Sequence, residues 1–162
     1  MQIRILKKHD GSGALTCTRT DGSVTWQPQG RHAPFFALHD LTHYAVETVL
    51  GTTRGFYGLI ASGWDVADFQ PPWPRGALAP DALVAELIVG YLDLERASDA
   101  RWTAEEMTNR AHAYFTEHAL PWDVWPGISD DQLTAIRDRR DALFAEWHAV
   151  SPGEALVVTF GV

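Results

Sequence analysis

Cysteine is almost missing from this chain: Cys17 is the only one among 162 residues. A single cysteine cannot form a disulfide within the chain, and a metal site built from cysteine alone is excluded. The glycines between residues 51 and 63 form neither a Gly-x-Gly-x-x-Gly segment nor a phosphate-binding loop. Any reactive site in this chain must therefore be built from other residue types.

Long apolar runs are missing as well. The longest, at residues 82–92, is interrupted by Glu86 and is too short to cross a bilayer. Residues 1–8 alternate between apolar and polar or basic side chains, which is not the pattern of a signal peptide. We therefore expect a cytoplasmic protein with no membrane contact.

Positive charge is scarce, with 13 lysines and arginines against 21 aspartates and glutamates and a formal net charge of −8. Such a surface repels phosphate on average, so a nucleic-acid partner would need a local basic stripe. The densest group of arginines, at residues 137–140, lies among the aspartates of residues 130–141. We interpret that segment as a solvated helix face and expect no nucleic-acid partner.

The order of the expected elements indicates an α+β fold. Alternating patterns at residues 1–8, 14–19 and 23–27 predict three N-terminal strands, and residues 154–162 predict a fourth at the C-terminus. The second and third strands flank Asp21-Gly22, a strong hairpin signal. Because the last strand must join the first three, we expect one antiparallel sheet of about four strands and a single domain over residues 1–162.

About four helices should pack on one face of this sheet. Helical periodicity covers residues 35–50, ending at Gly51, and Pro80 begins a helix that extends to about residue 96. Capping boxes at Thr103 and Ser129 begin two more, which end near residues 120 and 150. Residues 55–64 are compatible with a short helix or a tight loop.

The most specific signal lies in the first of these helices. His39, His43 and Glu47 recur every fourth residue, and Asp40 lies at the edge of the same stripe. Two imidazoles one helical turn apart can bind one divalent ion. Phe36 shares this stripe, so we interpret it as the wall of a cleft with apolar ends.

Two arrangements of ligands are compatible with this spacing. Glu47 is about 12 Å from His39 along the axis, so all three side chains can hardly bind one ion. Either His39 and His43 bind while Glu47 orients His43, or His43 and Glu47 bind. We prefer the first, which requires a third ligand from another segment.

The candidates for this third ligand are Glu86, His32 and His112. On a helical projection Leu83, Leu87 and Tyr91 take the side away from Glu86. We therefore expect Glu86 to face solvent, near Gly90 and Asp93.

The pattern His-Asp-x-x-His resembles the His-Glu-x-x-His signature of zinc-dependent peptidases, with aspartate in place of glutamate. This resemblance implies that His39 and His43 bind zinc and that Asp40 activates a zinc-bound water. The aspartate is one methylene shorter than the family's glutamate. The longer pattern through Glu47 also resembles a group of bacterial proteins of unknown activity, which implies no reaction.

Two functions follow as hypotheses. The first is a divalent-metal protein, with zinc as the preferred ion and His39, His43 and Glu47 as candidate ligands, which acts as a hydrolase with Asp40 or Glu47 as the base. The second is a non-catalytic module that binds a small ligand or a protein, in which carboxylates or backbone carbonyls satisfy the histidines. The sequence does not identify a substrate, whether a small molecule or a peptide.

Overall fold

One antiparallel sheet joins the two ends of the chain. The computed structural model describes residues 1–28, 33–98 and 100–161. The strands are β1 (Gln2–Lys7), β2 (Gly13–Thr18), β3 (Val24–Pro28) and β4 (Ala155–Thr159). Their order across the sheet is β3-β2-β1-β4, and all neighbours are antiparallel. The expected α+β fold, with three N-terminal strands and one C-terminal strand, is confirmed.

The turn between β2 and β3 has the expected hairpin chemistry. Gly22 has a φ of +85°, a backbone conformation that residues other than glycine rarely adopt. The Asp21 carboxylate accepts hydrogen bonds from the backbone N–H and the hydroxyl of Ser23, at 2.9 and 2.7 Å. These contacts fix the register of the hairpin locally.

Five α-helices and two short 3-10 helices, at Val66–Phe69 and Trp122–Val124, complete the part of the fold that the structure describes. The α-helices are α1 (Ala33–Leu50), α2 (Phe56–Ala61), α3 (Pro80–Ala97), α4 (Ala104–Glu117) and α5 (Asp130–Ala149). Both capping boxes are present, at Thr103 with Glu106 and at Ser129 with Gln132. The short α2 resolves the alternative left open for residues 55–64 in favour of a helix. Within the described ranges, no helix has the length and apolar character that a bilayer crossing needs.

The sheet is buried on one face only. Ile3, Ile5, Leu15 and Cys17 point into the core, whereas Trp26 on the opposite face is 61% exposed. The alternation follows the two-residue period of a strand. Helices therefore cover one face, as expected.

Helix α1 is the central element of the helical layer. It packs against β2, α3 and α5. All eight residues from Asp40 to Glu47 are buried, so the polar stripe is enclosed by protein from Asp40 onwards, and only His39 is partly exposed. A buried polar stripe requires partners on the elements that cover it.

Candidate metal centre

The two histidines of α1 lie side by side, as their spacing predicts. Their ring centroids are 4.8 Å apart, and the rings are nearly perpendicular. The His43 side chain is buried, whereas that of His39 is 26% exposed. One imidazole is therefore enclosed by protein and the other borders solvent.

Helix α3 supplies a carboxylate to each histidine. Asp93 Oδ2 is 2.6 Å from His39 Nδ1, and Glu86 Oε2 is 3.6 Å from His43 Nε2. Glu86 and Asp93 are seven residues apart and therefore lie on the same side of α3, two turns from each other. Because the later histidine meets the earlier carboxylate, α1 and α3 run antiparallel here.

A third carboxylate orients His43 from behind. Glu47 Oε1 is 3.3 Å from His43 Nδ1. The same carboxylate accepts hydrogen bonds from the backbone N–H groups of Tyr57 and Gly58, at 3.2 and 3.0 Å, in the first turn of α2. A carboxylate on Nδ1 holds the proton on that nitrogen and leaves Nε2 as the metal-binding atom.

Glu47 fits this position because residue 55 has no side chain. A Cβ atom at Gly55 would lie 2.7 Å from Glu47 Oε2 and 2.8 Å from its Cγ, far closer than van der Waals contact. The φ of Gly55 is −77°, which any residue adopts. Glycine is therefore required at residue 55 because any side chain there would collide with Glu47, and not because of its backbone conformation.

The carboxylates shift the proton equilibria of the cluster. Burial alone would lower the pKa of His43, but the charges of Glu86 and Glu47, with that of Asp40, raise it to about 9. For Asp93, burial alone would raise the pKa, but His39 and Arg96 bond to its carboxylate and lower that pKa. The carboxylates around His43 therefore favour its protonated form.

His39, His43 and Glu86 form a cluster that could hold a metal ion. One ligand atom from each residue lies within 4.8 Å of the other two. A tetrahedral zinc ion with bonds of about 2.0–2.2 Å separates its ligand atoms by about 3.4 Å. The 3.6 Å distance between His43 and Glu86 is close to this value. The Glu86 side chain is 35% exposed, so it has room to adjust.

The cluster lies in the wall of a pocket of about 430 Å³. The polar side chains of its described lining are those of His39, Asp40, His43, Glu86, Gln27 and Gln70. The remaining wall is mainly apolar and includes Phe36, Phe56, Phe69, Trp73, Leu78 and Leu83. This volume suits a small organic molecule beside the cluster.

The sequence-predicted residues have different places in this site. His39 and His43 contribute to the cluster, and Asp40 is buried at the pocket wall, where it also interacts with other groups. Glu47 lies outside the cluster, on the far nitrogen of His43, which matches the preferred arrangement of ligands. His32 lies outside the described residues.

The expectation that Glu86 faces solvent holds only in part, because its side chain is 35% exposed but also lines the pocket beside α1. The buried side of α3 is centred on residues such as Ala85, Ile88 and Leu92, further round the helix than the projection placed it. This rotation turns Glu86 and Asp93 towards α1. His112, another candidate, is exposed and packs against Trp122 with ring centroids 4.8 Å apart.

Comparisons with protein-family models, with curated proteins and with solved structures each found no significant match. The functional argument for this chain therefore rests on the geometry of the site.

Proposed function

We propose that this protein binds one divalent metal ion through His39, His43 and Glu86, with zinc as the preferred ion. The observation that carries the proposal is the pair of carboxylates, Glu47 and Asp93, on the two Nδ1 atoms. This arrangement occupies both Nδ1 atoms and leaves both Nε2 atoms as the candidate ligands, as outer carboxylates do in known metal sites. Two imidazoles and one carboxylate form a donor set of catalytic zinc sites.

We further propose that the bound metal supports hydrolysis. Three protein ligands leave a position for water, whose pKa zinc lowers to about 7. Asp40 lines the same pocket and is buried, so it is placed to accept a proton from a pocket water. Glu47 acts as a positioning residue, because its carboxylate contacts His43 and the backbone of α2.

The same donor set also binds iron(II) in non-haem oxygenases. Elemental analysis of protein purified without chelator identifies the ion. Zinc in the purified protein would support the proposed hydrolysis. Iron would contradict it and indicate redox chemistry instead.

Metal content per chain tests the site itself. We expect about one ion in the wild type and far less in His43→Ala and Glu86→Gln. Glu86→Gln keeps the shape of a half-exposed side chain, so it should leave the fold intact. His148→Ala, at an exposed position on α5, is the matched control and should retain the ion.

A competing function is the non-catalytic module with structural histidines. It is favoured by the fact that Asp93 and Glu47 already pair with His39 and His43 without an ion. In that case His43→Ala, Glu86→Gln and His148→Ala would all match the wild type in metal content, and the metal proposal would fail.

Hydrolysis of 4-nitrophenyl acetate tests the catalytic part. We expect activity that a chelator removes, and an Asp40→Asn variant that keeps its metal but loses about 10²–10⁴-fold in rate. An Asp40→Asn variant as active as the wild type would contradict the role of Asp40 as the base.

A further inference from the structure

The wall of the pocket beside the candidate metal centre is largely aromatic. Phe56 connects the two parts of the site, because its ring centroid is 5.3 Å from that of His43 and 4.9 Å from that of Phe69. Phe36 and Trp73 lie at more exposed positions of the same wall, with 37% and 48% of their surface accessible. Four aromatic rings around one small cavity favour a flat apolar ligand that stacks on or edges against them.

Trp73 has an unusual backbone conformation for a large residue. Its φ is +56°, in the left-handed region that residues other than glycine rarely adopt. Hydrogen bonds hold it on both sides, from its N–H to the Gln70 carbonyl at 2.9 Å and from the Gly76 N–H to its own carbonyl at 2.8 Å. Such strained residues concentrate at ligand-binding sites.

Arg75, two residues after Trp73, connects this loop to the rest of the fold. Its side chain donates hydrogen bonds to the Asp68 carboxylate at 2.7 Å and to the Gly63 carbonyl at 2.9 Å. These bonds tie the loop that carries Trp73 to residues 63–68. Trp73 lines the pocket with about half of its surface exposed, so part of it is open to a ligand.

The ionisable side chains of the described lining are the carboxylates of Asp40 and Glu86 and the imidazoles of His39 and His43, and its other polar groups include the amides of Gln27 and Gln70. Asp40 is buried and Glu86 is half-buried, and the described lining contains no lysine or arginine. The carboxylates therefore disfavour an anionic ligand, whereas amides bond to uncharged polar groups.

We propose that this pocket binds an uncharged small molecule with an aromatic body, held by Trp73 and Phe69, whose polar end points to His39, His43 and Glu86. This assignment deepens the proposed function and rests on it for the orientation of the ligand. Trp73 and Phe69 are specificity-determining residues in this assignment.

The ligand class is tested on metal-free protein in the presence of a chelator. We titrate the protein by calorimetry with 2-naphthol, which is neutral, and with 2-naphthyl phosphate, which carries the same rings and a negative charge. We expect saturable one-to-one binding of 2-naphthol, and binding of the phosphate at least about tenfold weaker. Equal affinities, or no saturable binding of 2-naphthol, would overturn the assignment.

Variants show whether binding occurs at this wall. Trp73→Ala should weaken the binding of 2-naphthol by about tenfold. Trp26→Ala, which removes an exposed tryptophan from the far face of the sheet, should leave it unchanged. Phe69→Leu is a second probe that keeps an apolar side chain and removes the ring. Equal effects of Trp26→Ala and Trp73→Ala would place the ligand elsewhere and refute the assignment.

Metal-loaded protein tests the orientation. Benzohydroxamic acid and acetohydroxamic acid are added as neutral molecules with the same metal-binding group, and only the first has a ring. We expect benzohydroxamic acid to bind about tenfold more tightly, and Trp73→Ala to remove most of this difference. Equal affinities in the wild type would contradict the assignment.

The two proposals fail in different ways. A protein that binds zinc but not 2-naphthol would refute the aromatic ligand class and leave the metal site intact. A protein that binds 2-naphthol but no metal would refute the proposed function and support the ligand class alone.

Discussion

Gly55→Ala is the substitution that probes the candidate centre from outside it. The added Cβ would lie 2.7 Å from Glu47 Oε2 and 2.8 Å from Glu47 Cγ, so the buried carboxylate must move. Overpacking of this kind costs about 1–3 kcal/mol. Displacement also weakens the hydrogen bonds from the Tyr57 and Gly58 N–H groups, at about 1 kcal/mol each. We therefore expect a loss of about 2–5 kcal/mol in the free energy of unfolding.

Urea unfolding of the metal-free protein measures this loss, and Gly90→Ala is the matched control. A Cβ at Gly90 meets no atom within 4 Å, and this glycine lies inside α3. Alanine there should stabilise the helix by about 1 kcal/mol. The two Gly→Ala substitutions should therefore change stability in opposite directions.

A double-mutant cycle isolates the contact. In a Glu47→Ala background the obstructing side chain is gone, so Gly55→Ala should cost almost nothing. A Gly55→Ala variant as stable as the wild type would refute the close approach of Glu47. An equal loss in both backgrounds would show that the cost arises elsewhere, and the proposed positioning of His43 would lose its support.

Three other predictions follow from burial and charge. Burial and then the charge of Asp40 raise the pKa of Cys17 to about 12, so at pH 8 only about 10⁻⁴ of the thiol is ionised. A thiol reagent should therefore label Cys17 only after denaturation, and rapid labelling of native protein would contradict this prediction. Arg137 forms a buried ion pair with Glu95, so Arg137→Met should cost about 3–5 kcal/mol in urea unfolding, whereas Asp141→Asn at the surface should stay within about 0.5 kcal/mol. In metal-free protein, the raised pKa of His43 contributes to the free energy of unfolding. This contribution is fully present below pH 6.5, the ordinary pKa of histidine, and is lost as the pH rises towards 9. A free energy of unfolding, measured in chelator, that stays flat or rises over this range would contradict the prediction.

Local signals explain how much of the fold the sequence predicts. The Asp21-Gly22 turn and the capping boxes at Thr103 and Ser129 each act within four residues, and all three are present. The pairing of β1 with β4 follows because an isolated C-terminal strand must find a sheet. The α+β architecture therefore needs no information about distant contacts.

The candidate centre could be predicted only on its α1 side. The spacing of His39 and His43 is a property of one helix, but which side of α3 faces them depends on packing between helices. The useful signal in α3 was the pair Glu86 and Asp93, seven residues apart with Gly90 between them. Its meaning depends on the matching histidine stripe of α1, because the α3 stripe by itself resembles a solvated face.

The ion pairs of the two histidines are compatible with the metal proposal as well as with the competing one. In the protein without an ion, Glu47, Glu86 and Asp40 surround a buried imidazole and raise the pKa of His43, so a proton is the cation that offsets their charge. A divalent ion at Nε2 would replace that proton and offset more of the same charge, because burying carboxylates without a cation is costly. Under the metal proposal, the ion pairs and the metal site would therefore be two states of one cluster, which would differ in the cation that His43 and Glu86 share.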